Sequence, residues 1–294
     1  MVTYRTINEE LKKEYGKKVY KVSLDGGMTC PNRDGTLGTR GCIFCSAGGS
    51  GDFASNRAHS ITEQIEEGKK LIAAKVPACD AFIAYFQAYT NTYADVSYLR
   101  KIFTEAIMHP EVVILSIATR PDCLSREVIE LLCELNQIKP VWVELGLQTI
   151  HESTACFIRR GYPLKVYDDA VAYLNAAHVK VITHVILGLP PESHKDMLDT
   201  VNYVCKSGAW GIKLQLLHIL KGTDLADYYE SHPFHIMTID EYTDLVVRCL
   251  HLIPENMVVH RITGDGPKSL LIEPKWSGDK KRVLNMITKK LKES

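Results

Sequence analysis

The sequence predicts an α/β protein in which a partial (β/α)6 TIM-like barrel is followed by a C-terminal helical extension. Short apolar, β-branched runs alternate with longer segments of helical period, which is typical of βα units and a parallel sheet. The 294 residues are a normal length for one α/β barrel, and no linker rich in Pro, Gly or Ser divides the chain. We place the core barrel in residues 1–235 and an extension packed on it in residues 236–294.

Six apolar runs predict the strands of the barrel, and a weaker seventh follows near the C-terminus. They are Lys18–Leu24, Ala81–Phe86, Val112–Ile117, Val141–Leu145, Lys180–Leu187, Lys213–Leu217 and, more weakly, Met257–Ile262. Two of the intervening helices have a recognisable start, since residues 60–63 and 238–241 both read Ser/Thr-x-x-Glu, the pattern of a capping box.

Polar residues follow the predicted strands at their carboxyl ends. Gln87 comes directly after the second strand, Thr119 to Asp122 follow the third, and Gly146 to Thr149 follow the fourth. In parallel α/β barrels the active site is built from the loops at this end. We therefore expect an enzyme whose site lies at the carboxyl ends of the strands.

The loop from Cys30 to Cys45 is the most informative segment. Cys30, Cys42 and Cys45 follow the first predicted strand, and eight of the nineteen glycines lie between Gly26 and Gly51, so the backbone turns sharply. Ordinary [4Fe-4S] clusters take four cysteine thiolates, so three in one loop would leave one iron open. An open iron can be chelated by S-adenosylmethionine (SAM), which a reduced cluster cleaves to a 5′-deoxyadenosyl radical.

Two other interpretations of the cysteine loop stay open. A zinc site could use the three cysteines with a histidine such as His59, and Cys42 with Cys45 could form a redox dithiol. The dithiol leaves Cys30 unexplained and lacks the usual helix start. The remaining cysteines stand singly, and we expect them to be small buried hydrophobes. They are Cys79, Cys123, Cys133, Cys156, Cys205 and Cys249.

The spacing Cys-x11-Cys-x2-Cys, with Phe44 before the last cysteine, resembles the radical SAM subgroup of the Elongator catalytic subunit and its short bacterial relatives of the YtqA/MnmL and YhcC type. Further motifs agree with that subgroup. Residues 119–122 resemble its TRPD, residues 144–149 its EVGVQS, residues 160–161 its RG, and residues 184–190 its HxxxGLP. The short relatives also share a tail like residues 260–265.

This resemblance implies a barrel of the radical SAM type with a [4Fe-4S] cluster and SAM as cofactors. Cys30, Cys42 and Cys45 would be the iron ligands and the catalytic centre. The residues assigned to cofactor binding are Phe44 near the adenine, Gln148, Arg160 and His184 around the ribose and methionine parts, and Gln87. One departure is Ala118, where a glutamate is common in the superfamily, so one SAM contact must come from elsewhere.

The resemblance also implies a substrate. The short relatives point to the wobble uridine of tRNA, whose 5-carboxymethylaminomethyl group, with or without 2-thiolation, would be trimmed to 5-aminomethyl. The chain lacks an acetyltransferase domain like that of the Elongator subunit, so acetyl-CoA-dependent carboxymethylation is not expected. Implied partners are tRNA, an electron donor such as flavodoxin or ferredoxin, and a downstream tRNA methyltransferase.

The charge distribution is compatible with a nucleic-acid partner. The formal net charge is zero, with 35 basic and 35 acidic residues, but residues 5–21 and 268–294 are both rich in lysine and arginine. Basic ends could form one footprint for tRNA if they fold onto one face, and otherwise are simply solvated. The N-terminus has no apolar core segment, and no apolar run is long enough for a membrane helix, so we expect a cytoplasmic protein.

Two other functions are also compatible with the sequence. One is a radical SAM oxidase of a small molecule, of the porphyrinogen type. The other is a non-catalytic RNA-binding module stabilised by zinc. The basic tail distinguishes the first, because a small substrate does not need it, and anaerobic reconstitution with iron and sulfide distinguishes the second.

Overall fold

The computed structural model describes residues 4–49, 51, 54–264 and 266–293. Two 3-10 turns, Pro121–Cys123 and Lys275–Gly278, occur besides the main elements. Those elements are, in chain order, β1 (Arg5–Thr6), α1 (Ile7–Tyr15), β2 (Tyr20–Leu24), α2 (Ile61–Ala73), β3 (Phe82–Phe86), α3 (Val96–Met108), β4 (Val112–Thr119), α4 (Arg126–Asn136), β5 (Val141–Gln148), α5 (Glu152–Phe157), α6 (Leu164–Ala176), β6 (Lys180–Leu187), α7 (His194–Lys206), β7 (Gly211–Leu216), β8 (Ile219–Leu220), α8 (Asp224–Ser231), α9 (Ile239–Leu252), β9 (Val258–Arg261), β10 (Leu271–Glu273) and α10 (Lys280–Glu293).

Eight parallel strands form one curled sheet, in the order β1-β9-β7-β6-β5-β4-β3-β2. The six strongly predicted strands are β2 to β7, and each pairs with the next along the chain, as successive βα units do. The weaker seventh is β9, which lies between β7 and β1. The predicted fold class, a partial barrel of α/β type, is therefore confirmed.

Three short strands were not predicted from the sequence. β1 pairs in parallel with β9, and β8 pairs with β10 in a separate antiparallel pair. Each has only two or three residues, too few for an alternating pattern to be visible. The segment after residue 235 is consequently not only helical, since it supplies β9 to the main sheet and β10 to the small pair.

Burial explains why the barrel strands read as continuous apolar runs. Every residue of β3 is buried, and β4 and β5 are nearly so, because helices cover one face and the barrel interior the other. The capping boxes at Ser60 and Thr238 both form, and each hydroxyl accepts from the backbone N–H of the glutamate three residues later. No helix in the described ranges is both long and apolar enough to cross a bilayer.

Helix α1 closes the amino-terminal end of the barrel. Leu11 packs in one cluster with residues at the starts of β3, β4, β5 and β6. The Tyr15 hydroxyl donates to the Val113 carbonyl at 3.5 Å, and Lys17 pairs with Asp80 at 2.8 Å, just before β3. The N-terminal basic run thus lies at the opposite end of the barrel from the strand carboxyl ends.

The C-terminal segment lies at the other end, beside the open mouth. Strand β10 pairs with β8, which follows the carboxyl end of β7. The Trp276 indole donates to the Met237 carbonyl at 3.0 Å, just ahead of α9. Lys290 of α10 pairs with Asp244 of α9 at 2.6 Å. The two basic ends of the chain therefore do not share one face.

The solitary cysteines differ more than expected. Only Cys249 among them is buried, Cys156 is exposed, and the other four are intermediate. The prediction of six buried thiols is therefore confirmed for Cys249 alone. It is wrong for Cys156, and the other four are only half-buried. Cys156 is on α5, a helix of six residues with buried positions at Thr154 and Ala155, and its side chain lies on the opposite, solvent-facing side.

Candidate active site

A cavity of about 230 Å³ opens at the carboxyl ends of the strands, where the cysteine loop covers the barrel mouth. It brings together every residue that the sequence assigned to the site. These are Cys30, Cys42, Phe44, Cys45, Gln87, Gln148, Arg160 and His184. They come from one loop, the ends of β3 and β5, the middle of β6 and the turn after α5, so only the tertiary fold makes them neighbours.

None of the three loop cysteines is in a disulfide bond, and all three line this cavity. Burial, reinforced by the neighbouring thiols of Cys45 and Cys30, raises the pKa of the Cys42 thiol to about 12. A thiol in that environment stays protonated unless a cation compensates the thiolate charge. Soft thiolate donors in a water-poor cavity are the ligand set that iron-sulfur clusters use, so these residues fit the cluster that their spacing predicts.

The zinc alternative fits the geometry poorly. Two thiolates on one tetrahedral zinc are about 3.8 Å apart, given a Zn–S distance of about 2.3 Å. In the part of the chain that the structure describes, the only three potential ligands within 4.8 Å of one another are Glu66, His109 and Glu111, not the loop cysteines. His59, the suggested fourth ligand, pairs with Glu67 at 2.8 Å instead. The thiols are thus spread wider than a closed zinc site requires.

Gln148 is positioned by an irregularity at the end of β5. The pairing of β5 with β6 shifts register between Gly146 and Gln148, and Gln148 has a positive φ of 64°. Its side chain folds back over Gly146, where an added Cβ would lie 2.5 Å from the Gln148 amide nitrogen. Because Gly146 has no side chain, the Gln148 amide can occupy this space and line the cavity.

Arg160 has a different local role from the one expected. It is buried, with only 1% of its surface exposed. Its guanidinium donates to the carbonyls of Tyr162 at 2.9 Å and Thr149 at 2.6 Å, and to Glu152 at 3.0 Å. Because these hydrogen bonds use the donors of the guanidinium group, Arg160 stabilises the loop after β5. Its binding of a SAM carboxylate stays a prediction.

A layer of polar side chains crosses the barrel interior below the cysteines, and it was mostly missed from the sequence. Each of the strands β2 to β7 supplies one member. We call this set the polar layer: Lys21, Tyr85, Ser116, Glu144, His184 and Lys213. The signal was a polar residue within an otherwise apolar strand, as at Lys21 and Lys213, and only Glu144 and His184 entered the prediction, through the resemblance.

Glu144 is the centre of the polar layer and has no exposed side-chain surface. One carboxylate oxygen accepts from Lys21 at 2.8 Å and Ser116 at 3.0 Å. The other accepts from Tyr85 at 2.9 Å, from His184 at 2.8 Å and from Lys213. A buried carboxylate is tolerated when its lone pairs are satisfied in this way.

The donors around Glu144 determine its protonation state. Burial alone would raise the pKa of this carboxyl, but the charges of Lys21 and Lys213 and the bond from His184 hold it well below its usual range. Burial, together with the charge of Lys213, lowers the pKa of His184 to about 4. The imidazole is therefore neutral at pH 7, with Nε2 donating to Glu144 and Nδ1 left as an acceptor facing Gln215.

The fold is a curled sheet of parallel strands with three cysteines in a loop over its carboxyl end. This arrangement is the one expected of enzymes that use a cluster and SAM to generate radicals. Family comparison agrees. Residues 35–204 match the model of the radical SAM superfamily, and residues 209–293 match the radical SAM C-terminal domain. The chain belongs to the radical SAM superfamily, and this membership implies SAM and a [4Fe-4S] cluster as cofactors.

Individual relatives cover most of the chain. It is 46% identical to Bacillus subtilis YtqA over 98% of its own length and 89% of that protein. It is 38% identical to Escherichia coli YhcC over 91% of its length and 85% of that protein. A solved structure of archaeal Elp3 from Methanocaldococcus infernus, truncated at its N-terminus, superposes with a TM-score of 0.69 at 17% identity, covering 92% of this chain and 63% of that one.

Proposed function

We propose that this protein is a radical SAM enzyme that modifies the wobble uridine of tRNA, with its cluster bound by Cys30, Cys42 and Cys45. The observation that carries the proposal is that three cysteines outside any disulfide bond line one cavity at the mouth of the half-barrel. Three protein ligands would leave one iron for SAM, and the bound cofactors would supply a 5′-deoxyadenosyl radical, given one electron from a donor such as flavodoxin or ferredoxin.

The protein's own residues bind and orient the reactants in this proposal. Phe44 lies between the cavity and an apolar cluster that includes Ile43 and Ile186, so it offers one face for stacking of the adenine. Gln148 offers an amide for ribose hydroxyls. The polar layer forms the floor, where neutral His184 is fixed by Glu144 and cannot supply an adventitious proton at neutral pH.

The proposed substrate group is a 5-carboxymethylaminomethyl substituent, converted to 5-aminomethyl before a separate methyltransferase acts. A radical can remove a hydrogen atom from the methylene carbon between nitrogen and carboxylate, because both groups stabilise the resulting carbon radical. Loss of one electron from that carbon radical, which would return the electron received from the donor, would give an imine between the same carbon and nitrogen. Addition of water to the imine would then break the carbon–nitrogen bond, release the two-carbon fragment as glyoxylate and leave the 5-aminomethyl group. To enter the cavity, the base must be extruded from the anticodon stack, as enzymes acting on single bases require. The support for this substrate is the motif resemblance together with the basic helix beside the mouth.

Mass spectrometry of tRNA nucleosides tests the substrate. Cells lacking the gene should accumulate 5-carboxymethylaminomethyluridine, or its 2-thio form, at the wobble position. A plasmid copy should restore 5-aminomethyl derivatives, whereas a Cys45→Ser copy should not. A Cys79→Ser copy, altered at a cysteine outside the cavity, is the matched control and should restore them. An unchanged wobble nucleoside in the deletion strain would contradict the tRNA assignment.

A further inference from the structure

The eleven residues between Cys30 and Cys42 form a compact loop that returns to its own start. The Arg33 N–H donates to the Cys30 carbonyl at 2.7 Å, and the Leu37 N–H donates to the Pro31 carbonyl at 2.8 Å. The Gly41 N–H closes the loop by donating to the Asn32 carbonyl at 2.7 Å. The wide gap between the first two cysteines therefore has a defined structure, and it places two polar side chains beside the other thiols.

Asn32 lies against the sulfur of Cys42. It is 5% exposed, and its amide nitrogen is 3.5 Å from Cys42 Sγ and 2.7 Å from the Arg159 carbonyl. The amide oxygen lies beside Gly161, where an added Cβ would approach it to 2.9 Å and where φ is +84°. The side chain is thus fixed with an N–H donor directed at a cluster ligand.

Arg33 lies against the backbone of Cys45. One terminal nitrogen donates to the Cys45 carbonyl at 3.0 Å and to the Ser46 carbonyl at 2.7 Å. Gly41 has φ +75°, and a Cβ there would lie 2.9 Å from Arg33 Nε, so the glycine makes room for the guanidinium. The Tyr89 ring covers the guanidinium carbon at 5.7 Å. A fixed positive charge therefore lies next to the third cysteine.

We infer that Asn32 and Arg33 are positioning residues that set the reduction potential of the cluster held by Cys42 and Cys45. Reduction adds one negative charge, and hydrogen bonds to the ligand sulfurs together with a nearby cation stabilise that charge. Both residues therefore make the cluster easier to reduce, which SAM cleavage requires. The inference rests on the proposed cluster, and it gives the eleven-residue gap a chemical purpose.

A redox titration of the reconstituted protein, followed by electron paramagnetic resonance, tests the inference. Asn32→Leu should move the midpoint potential to a more negative value, by about tenfold in the reduction equilibrium constant, or about 59 mV for one electron. Arg33→Gln should shift it in the same direction, and Arg33→Lys should shift it less because the charge is kept. Asn202→Leu on α7 is the control and should titrate like the wild type.

The outcomes separate this inference from the proposed function. If the Asn32 and Arg33 variants hold the cluster and titrate like the wild type, the inference is overturned while the proposed function stands. If the wild type itself takes up no iron, the proposed function fails first. Should Asn32→Leu not hold a cluster, Asn32→Asp decides the question, because it keeps the size of the side chain and replaces the N–H donor by a carboxylate oxygen.

Discussion

Gly146 and Gln148 are coupled at the end of β5, because the Gln148 amide occupies the space in which a Gly146 Cβ would lie. Gly146 is not in the left-handed region, so its backbone accepts alanine without strain. Gly146→Ala should displace the Gln148 side chain and raise the dissociation constant of SAM about tenfold, or about 1.4 kcal/mol.

Isothermal titration of SAM into the reconstituted protein measures this change. Gly278→Ala is the matched control, since nothing lies within 4 Å of the added Cβ there, and it should leave the affinity unchanged. Equal SAM affinities for Gly146→Ala and the wild type would remove Gln148 from the cofactor site.

Glu144 is the residue on which the polar layer depends. Glu144→Gln would leave Lys213, itself only 3% exposed, buried without its carboxylate. Breaking a buried pair in this way costs about 3–5 kcal/mol, so the free energy of unfolding should fall by that amount in a urea titration.

The double variant Glu144→Gln/Lys213→Met separates the broken ion pair from a general packing defect. Since it removes the uncompensated cation, it should recover part of the stability that Glu144→Gln loses. A single variant within about 1 kcal/mol of the wild type would show that the layer does not depend on this carboxylate.

Among single residues, the sequence predicted those whose type and spacing carry the chemistry. The three cysteines are recognisable because metal ligands in one loop have a readable spacing. The partners of Glu144 could not be found, because their contacts join strands that are 28 to 123 residues apart in sequence. The contacts of Arg160 with the loop after β5 were missed for a similar reason, since most of its acceptors are main-chain carbonyls, which every sequence contains.

At the scale of elements, α1 and α10 allow the RNA contact to be tested with a built-in control. Both helices carry exposed lysines, but α1 closes the amino end of the barrel and α10 lies beside the mouth. Neutralising Lys281, Arg282 and Lys292 to glutamine should weaken tRNA binding. The slope of log affinity against log salt should become shallower by about 0.7–0.9 for each phosphate that the variant no longer neutralises.

The control neutralises Lys12, Lys13 and Lys18, which removes the same charge from α1 and the turn that follows it. It should leave both tRNA affinity and the salt slope close to the wild-type values. Equally weakened binding by the two triple variants would indicate a non-specific charge effect. Unchanged tRNA binding in the α10 variant would favour a small-molecule substrate, for which this helix is not needed.

Helices and strands could be predicted where burial or local capping gives the sequence a regular pattern. Strands β2 to β7 could be read because buried parallel strands are continuous apolar runs, and α2 and α9 because their capping boxes are local. Strands β1, β8 and β10 could not, since two or three residues carry no period and form only where tertiary pairing places them. The positions of the two basic segments relative to the barrel could not be predicted from the sequence either, because they depend on the tertiary fold.

At the scale of the whole molecule, the two ends of the barrel differ in structure: one is closed by a helix and the other contains the cavity. Helix α1 seals the amino end, while the carboxyl end holds the cysteine loop and the cavity. The C-terminal segment supplies β9 to the sheet, and Gly266 and Pro267 line the cavity mouth. Asp265, the last residue of the tail that the short relatives share, lies outside the described residues. The segment thus shapes the entrance to the site as well as extending the sheet.

The central claim is that Cys30, Cys42 and Cys45 hold a four-iron cluster whose fourth iron is open to SAM. Anaerobic reconstitution with iron and sulfide, followed by metal analysis and an assay for 5′-deoxyadenosine, tests it most directly. The account predicts about four irons per chain and 5′-deoxyadenosine that appears only with both SAM and a reductant. A protein that takes up one zinc per chain, never turns brown and releases no 5′-deoxyadenosine would contradict it.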